Sequence, residues 1–226
     1  MFKCILCEQT CSLFHMICDE CHYSLPWHQG CARCGNSLIK SENHSLCAFC
    51  AYQTPSYAQL IAIWEYAPPI DRLISQFKFN QCLQWRKFFS KQLFHRLTHC
   101  PDFLAPDLIV PVPLHPSRLK QRGYNQAQLL AEKISKYLKI PSSHSICERI
   151  KKTKVQHTLP QHQRNDNLSN AFKIKKPLNQ KKIAILDDVV TTGHTVNHLS
   201  EVLLAAGASQ IQIWCIAKTY AVKATH

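Results

Sequence analysis

Two adjacent carboxylates, Asp187 and Asp188, stand at the end of an apolar run and precede a loop rich in hydroxyl groups. The sequence of residues 183–195 is Ile-Ala-Ile-Leu-Asp-Asp-Val-Val-Thr-Thr-Gly-His-Thr. Open α/β sheets bind ligands at the carboxyl ends of their strands, so the position of the two acids favours a ligand role. Ionised carboxylates only accept hydrogen bonds, which suits them to the vicinal hydroxyls of a ribose.

The loop after the carboxylates can bind a phosphate group. Backbone N–H groups of residues 191–195 can surround an anion, and the dipole of the helix that begins there adds to the attraction. Gly193 permits a close backbone approach. Further hydroxyl donors are Thr191, Thr192 and Thr195. An ordinary strand-to-helix connection explains one capping acid or threonine, but not two acids followed by Thr-Thr-Gly-x-Thr.

This segment resembles the signature with which type I phosphoribosyltransferases bind phosphoribosyl pyrophosphate (PRPP), and it covers the 13 positions without a gap. His194 stands where that family usually has a smaller residue. In the family mechanism Mg²⁺ binds the pyrophosphate and ribose oxygens, so the resemblance implies Mg²⁺ together with PRPP. The positions that it implies for PRPP binding are Asp187, Asp188, Val189, Thr191, Thr192, Gly193, His194 and Thr195.

A second loop, Val-Pro-Val-Pro-Leu-His over residues 110–115, looks like the pyrophosphate loop of the same family. It implies further PRPP contacts at Pro113 and Leu114. Arg118 and Arg122 follow this loop, and guanidinium groups suit bidentate phosphate contacts. The catalytic role, if there is one, is not assigned by the sequence. Its candidates are Asp187, Asp188 and Arg122.

Eight of the 13 cysteines form four Cys-x-x-Cys pairs within the first 50 residues. Two residues between thiolates let a tight turn aim both sulfurs at one ion, so two pairs complete a closed tetrahedral zinc site, as in a zinc ribbon. Redox-active pairs and unrelated buried thiols are the alternatives, but four pairs favour one or two structural zinc ions. The spacing leaves open which pairs share an ion. The expected ligands are Cys4, Cys7, Cys18, Cys21, Cys31, Cys34, Cys47 and Cys50.

Nearby histidines are alternative ligands for the same ions, although a lone histidine is more often an ordinary surface residue. They are His15, His22, His28 and His44.

The net positive charge belongs to the larger part of the chain. Residues 1–50 carry 3 basic and 4 acidic side chains; the totals are 27 and 14, so the remainder carries 24 and 10, a net charge of +14. Such an excess suits a polyanion, either nucleic acid or a phosphorylated metabolite, although basic surface also serves solubility. The positions expected to contact single-stranded DNA are Lys151, Lys152, Lys154, Arg164, Lys173, Lys175 and Lys176.

Alternating strand and helix patterns predict the elements that position these groups. Strands are predicted at residues 108–112, 183–186 and 211–216, and helices at 126–138 and 195–206. This alternation implies an α/β fold with a parallel sheet covered on both faces. The predicted units are a zinc-ribbon module (residues 1–53), a helical hood-like subregion (54–105) and a phosphoribosyltransferase-like core (106–226).

The chain as a whole resembles the ComF/GntX family. Besides the paired cysteines, the residues that carry this resemblance are Arg-Leu-Lys-Gln-Arg-Gly-Tyr-Asn-Gln at 118–126, Arg-Asn-x-Asn at 164–167 and Ala171-Phe172. Members commonly have Phe where Tyr124 stands. The resemblance covers residues 4–220 and implies a type I phosphoribosyltransferase fold with an amino-terminal zinc ribbon. It also implies a bacterial cytoplasmic protein of natural competence, with other competence proteins as possible partners.

Two functions are compatible with these features, because one fold can host either. The first is a competence-type protein of natural transformation and DNA uptake that binds PRPP and single-stranded DNA. The second is a metabolic phosphoribosyltransferase that transfers ribose 5-phosphate to a nucleobase or amine. Residues 57–100 are the candidate hood for an acceptor but show no base-binding pattern. No stretch approaches the roughly 20 apolar residues of a membrane span, which favours a cytoplasmic protein.

Overall fold

The amino-terminal segment has two short strands and two short helices. The computed structural model describes residues 2–11, 16–38, 46–79, 84–101, 103–151 and 171–220. In this segment it contains β1 (Phe2–Lys3), β2 (Thr10–Cys11), α1 (Asp19–Tyr23) and α2 (Ala48–Tyr52). Cys18 and Cys47 are the N-cap residues of α1 and α2. Each short helix therefore carries one Cys-x-x-Cys pair on its first turn.

A parallel sheet of four strands forms the centre of the larger part. The remaining elements are β3 (Gln59–Glu65), α3 (Ile70–Phe79), α4 (Gln84–Thr98), β4 (Leu108–Pro111), α5 (Pro116–Arg122), α6 (Gln126–Leu138), β5 (Cys147–Arg149), β6 (Phe172–Ile174), β7 (Lys182–Val190), α7 (His194–Ala205) and β8 (Gln210–Lys218). The strand order is β3-β8-β7-β4, and all three pairings are parallel. β5 and β6 form a separate antiparallel pair.

Helices cover both faces of the sheet, because alternate residues of each strand point to opposite sides. Ala184 and Leu186 pack in the core formed with α3, α4 and α6. Ile183 and Ile185 pack in the second core, with α7 and the β5–β6 pair. The predicted α/β class, a parallel sheet flanked by helices with a cysteine-rich module at the amino terminus, is confirmed.

The segment expected to be a helical subregion begins with a strand, so the helical prediction was wrong for residues 59–65. β3 pairs along the outer side of β8. Its residues from Leu60 to Trp64 are all buried. A continuous apolar run is typical of a strand covered on both faces, and periodicity alone does not distinguish it from a buried helix. The division of the chain at residues 53 and 105 stays a prediction.

The free edge of β3 is covered by the amino-terminal module. The N–H of Glu65 donates to the carbonyl of Pro26 at 2.7 Å, and the carbonyl of Ile63 accepts from the N–H of His28 at 3.0 Å. These bonds satisfy backbone groups that an edge strand otherwise leaves unpaired. The module therefore joins the sheet on the side of β3 and β8. None of the helices in the described part of the chain is both long and apolar enough to cross a bilayer.

Candidate functional site

The paired cysteines form two separate groups of four. Within each group the sulfur atoms all lie within 4.8 Å of one another. The Cys7–Cys18 and Cys34–Cys47 sulfur distances are 3.6 and 3.5 Å. A tetrahedral zinc ion with bonds of about 2.3 Å separates its sulfurs by about 3.8 Å, so both groups fit such an ion. The first group is Cys4, Cys7, Cys18 and Cys21, and the second is Cys31, Cys34, Cys47 and Cys50.

Each group joins two consecutive pairs, which answers the question that the spacing left open. His22 and His28 lie outside both groups. The ring of His28 instead shares a hydrogen bond of 2.8 Å with the carbonyl of Gly35. His15 and His44 lie outside the described residues.

One thiol in each group ionises easily. Burial opposes ionisation of Cys4, but backbone hydrogen bonds, led by the one at Cys18, outweigh it and lower its pKa to about 6. The same balance lowers the pKa of Cys31 to about 7. Burial raises the pKa of Cys34 to about 12, and the charge of Cys31 adds to that rise. A divalent cation removes this mutual repulsion of thiolates, so the donor set suits zinc.

The two carboxylates lie at the carboxyl end of β7. The strand is longer than predicted because Val189 and Val190 still pair with β8. An oxygen of Asp188 lies 3.0 Å from the ammonium nitrogen of Lys78 on α3. Burial, followed by the neighbouring charge of Asp188, raises the pKa of Asp187 well above the ordinary range of an aspartate. The end of β7 therefore holds one ion-paired carboxylate and one that resists ionisation.

The loop after β7 turns into α7 through a glycine in the left-handed conformation. Thr191 and Thr192 are exposed. Gly193 has a φ of 81°, in the left-handed region that favours glycine, and it is the N-cap of α7. No side chain of the N-cap accepts from the first turn of α7. The N–H groups that an Asp or Thr cap would satisfy are therefore not satisfied in that way, which weighs against the ordinary-cap interpretation.

The second loop lies beside the first. The N–H of Val112 donates to the carbonyl of Leu186 at 2.9 Å, so the chain leaves β4 next to Asp187. Pro113 and Leu114 are half-buried there. The side chain of Asn125, the N-cap of α6, donates to the carbonyl of Val112 at 3.0 Å. The two predicted loops thus meet at the carboxyl edge of the sheet, where the parallel strands β4 and β7 end side by side.

Arg149 lies near this edge, although no sequence pattern marked it as a site residue. Burial lowers its pKa first, the charge of Arg118 lowers it further, and the charge of Asp187 opposes the shift. The guanidinium of Arg149 therefore lies close enough to both Arg118 and Asp187 for their charges to affect it. Arg149 also stands over the ring of Phe172 at 5.6 Å. Only the pairing of β5 with β6 brings it here, and neither strand had a clear sequence signal.

Side chains of the segment 118–126 contact the end of α3 and hold it beside the carboxylates. The hydroxyl of Tyr124 donates to the carbonyl of Phe77. The side-chain amide of Gln126 donates to the carbonyl of Lys78 at 3.3 Å. Arg122 lies over the ring of Phe79 at 5.2 Å. This segment, which carried part of the family resemblance, thus positions Lys78, a residue of the candidate site that no sequence pattern had marked.

Four of the seven residues predicted to contact DNA lie in the described part of the chain. Lys173 and Lys176 are exposed. Lys175 pairs with Glu148 at 2.6 Å across the β5–β6 pair. Lys151 is exposed as well. The predicted contacts Lys152, Lys154 and Arg164 lie outside the described residues.

Comparison with known proteins gives relatives of almost the same length. No family model matches the chain. Competence protein F of Haemophilus influenzae is 33% identical over 226 residues, which cover 96% of this chain and 97% of the relative. The DNA utilization protein YhgH of Escherichia coli K12 is 34% identical over 221 residues, 96% of each chain. This chain belongs to the competence protein F family. Competence protein ComFC of Streptococcus pneumoniae, 26% identical over 237 residues, covers 96% of this chain and 100% of the relative.

Solved structures that match the chain include phosphoribosyltransferases. Purine phosphoribosyltransferase from Pyrococcus horikoshii aligns with a TM-score of 0.37 and 23% identity over 59% of this chain and 73% of that one. Adenine phosphoribosyltransferase from Leishmania tarentolae aligns with a TM-score of 0.41 and 12% identity over 73% and 92%.

Proposed function

We propose that this protein binds PRPP at the carboxyl edge of β4 and β7, binds single-stranded DNA on its basic surface, and acts in competence, as the names of its relatives state for those proteins. The observation that carries the proposal is the meeting of the two loops. The carboxylates of Asp187 and Asp188, the glycine-capped start of α7 and the half-buried Arg118 lie at one edge of the parallel sheet, where such folds bind ligands.

Each part of PRPP has a complementary group at this edge. The 5′-phosphate binds the N–H groups of residues 192–195, where the helix dipole favours an anion. The pyrophosphate binds the loop at Pro113 and Leu114 together with Arg118. The ribose hydroxyls bind the two aspartates, which also offer the hard oxygen ligands that Mg²⁺ prefers. A cation that arrives with the pyrophosphate favours ionisation of Asp187, which burial opposes in the free protein.

Single-stranded DNA is supported by charge and by the family. The net charge of +14 outside the first 50 residues attracts phosphates without sequence preference. Lys173 and Lys176 offer exposed ammonium groups for such contacts. The Escherichia coli relative is named a DNA utilization protein.

The test of the PRPP site is calorimetry with PRPP and Mg²⁺ on the wild type and on the double variant Asp188→Asn, Thr192→Ala. The wild type should bind and the double variant should not, because it loses a ribose acceptor and a loop hydroxyl while the core is unchanged. A matched control is Asp71→Asn with Thr98→Ala, the same chemical changes at residues of α3 and α4 outside this edge. Undiminished binding by the folded double variant means that the site lies elsewhere.

An exposed aromatic ring favours a second candidate, a phosphoribosyltransferase that acts on a nucleobase. Phe79 is 61% exposed, directly follows Lys78, and lies under Arg122. A flat ring at the rim of the site can stack on a base. Release of pyrophosphate from PRPP in the presence of one nucleobase, and not in its absence, would favour this candidate over a binding protein without turnover.

A further inference from the structure

The end of β8 holds a buried lysine that the assignments above do not use. Lys218 is 2% exposed. Its ammonium group donates to three oxygens: the carbonyl of Thr191 at 2.7 Å, the carbonyl of Thr219 at 2.6 Å and the side-chain oxygen of Asn36 at 3.0 Å. An ammonium has three protons to donate, so these three bonds satisfy it completely. The lysine is therefore held at one position between the loop after β7 and the cysteine-rich module.

The bond to Thr191 fixes a peptide group of the phosphate loop. In a trans peptide the carbonyl of one residue and the N–H of the next point in opposite directions. Because the carbonyl of Thr191 points at Lys218, the N–H of Thr192 points away from it. If this peptide turned over, the carbonyl dipole would face the anion instead and repel it. Lys218 thus keeps the loop in the orientation that donates to a phosphate.

The other end of this connection is the turn of the second cysteine group. Asn36 follows Cys34 by two residues, and its own carbonyl accepts from the N–H of Cys31 at 2.8 Å. Gly35 has a φ of 72°. A Cβ placed on Gly35 would lie 3.3 Å from Cγ of Lys218 and 2.8 Å from a methyl carbon of Leu60. The turn that holds two of the four sulfurs therefore also packs against the stem of the lysine.

A second contact joins the segment that follows the module to the helix after the loop. The N–H of Ser56, which follows α2, donates to the side-chain oxygen of Asn197 on α7 at 2.7 Å. The hydroxyl of Ser56 donates to Glu201 at 3.3 Å. The second cysteine group is thus connected to the loop through Lys218 and to α7 through Ser56.

We propose that Lys218 is a positioning residue for the phosphate of PRPP, and that it couples the turn of the second cysteine group to the orientation of the Thr191–Thr192 peptide. This inference rests on the proposed function, because it names what determines the affinity of the same loop. An ordered turn fixes the position of Asn36, whose side-chain oxygen accepts a hydrogen bond from the ammonium of Lys218. The ammonium in turn donates to the carbonyl of Thr191 and fixes the orientation of the loop. The second cysteine group thereby becomes part of the ligand site, while the first group, whose Cys4 packs in the core of α3, α4 and α6, does not.

The experiment is calorimetry of PRPP with Mg²⁺ on the full chain carrying Lys218→Met, Asn36→Ala or Asn36→Asp. Lys218→Met keeps the stem and removes the ammonium, and the Kd should rise about ten- to hundredfold, the effect of one hydrogen bond to a charged group. Asn36→Ala should raise the Kd about two- to fivefold, because the lysine keeps its bond to the loop but loses one of its restraints. Asn36→Asp retains an acceptor for the ammonium and should keep the wild-type affinity.

A control separates positioning from general destabilisation. Gln212 is a buried polar residue of the same strand, and its side chain donates to the carbonyl of Leu104 at 2.7 Å, toward the opposite end of β8. Gln212→Met should lower the melting temperature and leave the Kd unchanged.

Two outcomes overturn different statements. If the wild type does not bind PRPP, the proposed function fails. If the wild type binds and Asn36→Ala and Lys218→Met both bind equally well, this inference alone fails. Should Lys218→Met not fold, the comparison of Asn36→Ala with Asn36→Asp decides: equal affinities contradict the coupling.

Discussion

The ammonium nitrogen of Lys78 lies 3.0 Å from a carboxylate oxygen of Asp188, and this ion pair joins the end of α3 to the end of β7. Only 18% and 13% of the two side chains are exposed. A ligand hydroxyl that donates a hydrogen bond to Asp188 must share this carboxylate with the lysine. The end of α3 therefore lies beside the proposed ribose site.

The first prediction concerns the stability of this ion pair. Lys78→Met leaves Asp188 without its cation beside Asp187, and the free energy of unfolding should fall by about 1 to 3 kcal/mol, between the values for exposed and fully buried pairs. Urea unfolding of this variant, of Asp188→Asn and of the double variant measures the coupling. Lys91→Met changes an exposed lysine of α4 and serves as the control. A coupling energy of zero would show that the pair contributes nothing.

A second prediction follows from the raised pKa of Asp187. Its carboxyl ionises more readily in the unfolded chain, at a pH of about 4, than in the folded protein, so stability is lost as the pH rises from there through the folded pKa. Asp187→Asn does not titrate in that interval. Its free energy of unfolding relative to the wild type should therefore increase from pH 4 to neutral pH. Denaturant unfolding at several pH values measures this, and a difference independent of pH would contradict it.

The strand, loop and helix of residues 183–195 could be predicted because the whole segment is contiguous. An apolar run, two acids and a glycine-containing turn specify local structure without help from distant residues. β3 was missed because its apolar run has no alternation to mark it as a strand.

The residues that complete the site could not be predicted from local sequence. Lys78, Arg149 and Lys218 lie on three other elements, and each comes near β7 or the loop after it only through tertiary packing. An isolated lysine or arginine is usually a solvated surface residue, and only the burial of Lys218 and the charges around Arg149 mark them as exceptions.

The third prediction concerns metal content. The two cysteine groups should hold two zinc ions per chain in freshly purified, reduced protein. Cys50→Ser should lose one equivalent, because three thiolates of the second group bind zinc more weakly than four. Cys11→Ser, which changes a half-buried cysteine outside both groups, should keep two. Metal analysis decides this, and less than one equivalent in the wild type would contradict both sites.

DNA binding gives a fourth prediction. Single-stranded DNA should bind with strong salt dependence and little sequence preference. Replacing Lys173 and Lys176 with alanine removes up to two phosphate contacts, so the log–log salt slope should decrease by up to about 1.4, at about 0.7 per contact on a single strand. Lys175 should contribute less, because it already pairs with Glu148.

The control for DNA binding carries the same change of charge on the other face of the sheet. Lys87 and Lys91 are exposed on α4, whereas the β5–β6 pair packs with α7. Replacing Lys87 and Lys91 with alanine should change the salt slope less than replacing Lys173 and Lys176 does. An unchanged slope in the Lys173 and Lys176 variant, or no binding at low salt, would remove the physical support for a DNA site there.

We propose that the loop after β7 binds the phosphate of PRPP through its backbone N–H groups. Nuclear magnetic resonance of the ¹⁵N-labelled chain, titrated with PRPP and Mg²⁺, observes those N–H groups directly. The amides of Thr192, Gly193, His194 and Thr195 should show the largest shifts, since they are the donors that face the anion. Shifts that are confined to other parts of the chain, or no shift of any amide at saturating PRPP, would contradict the claim.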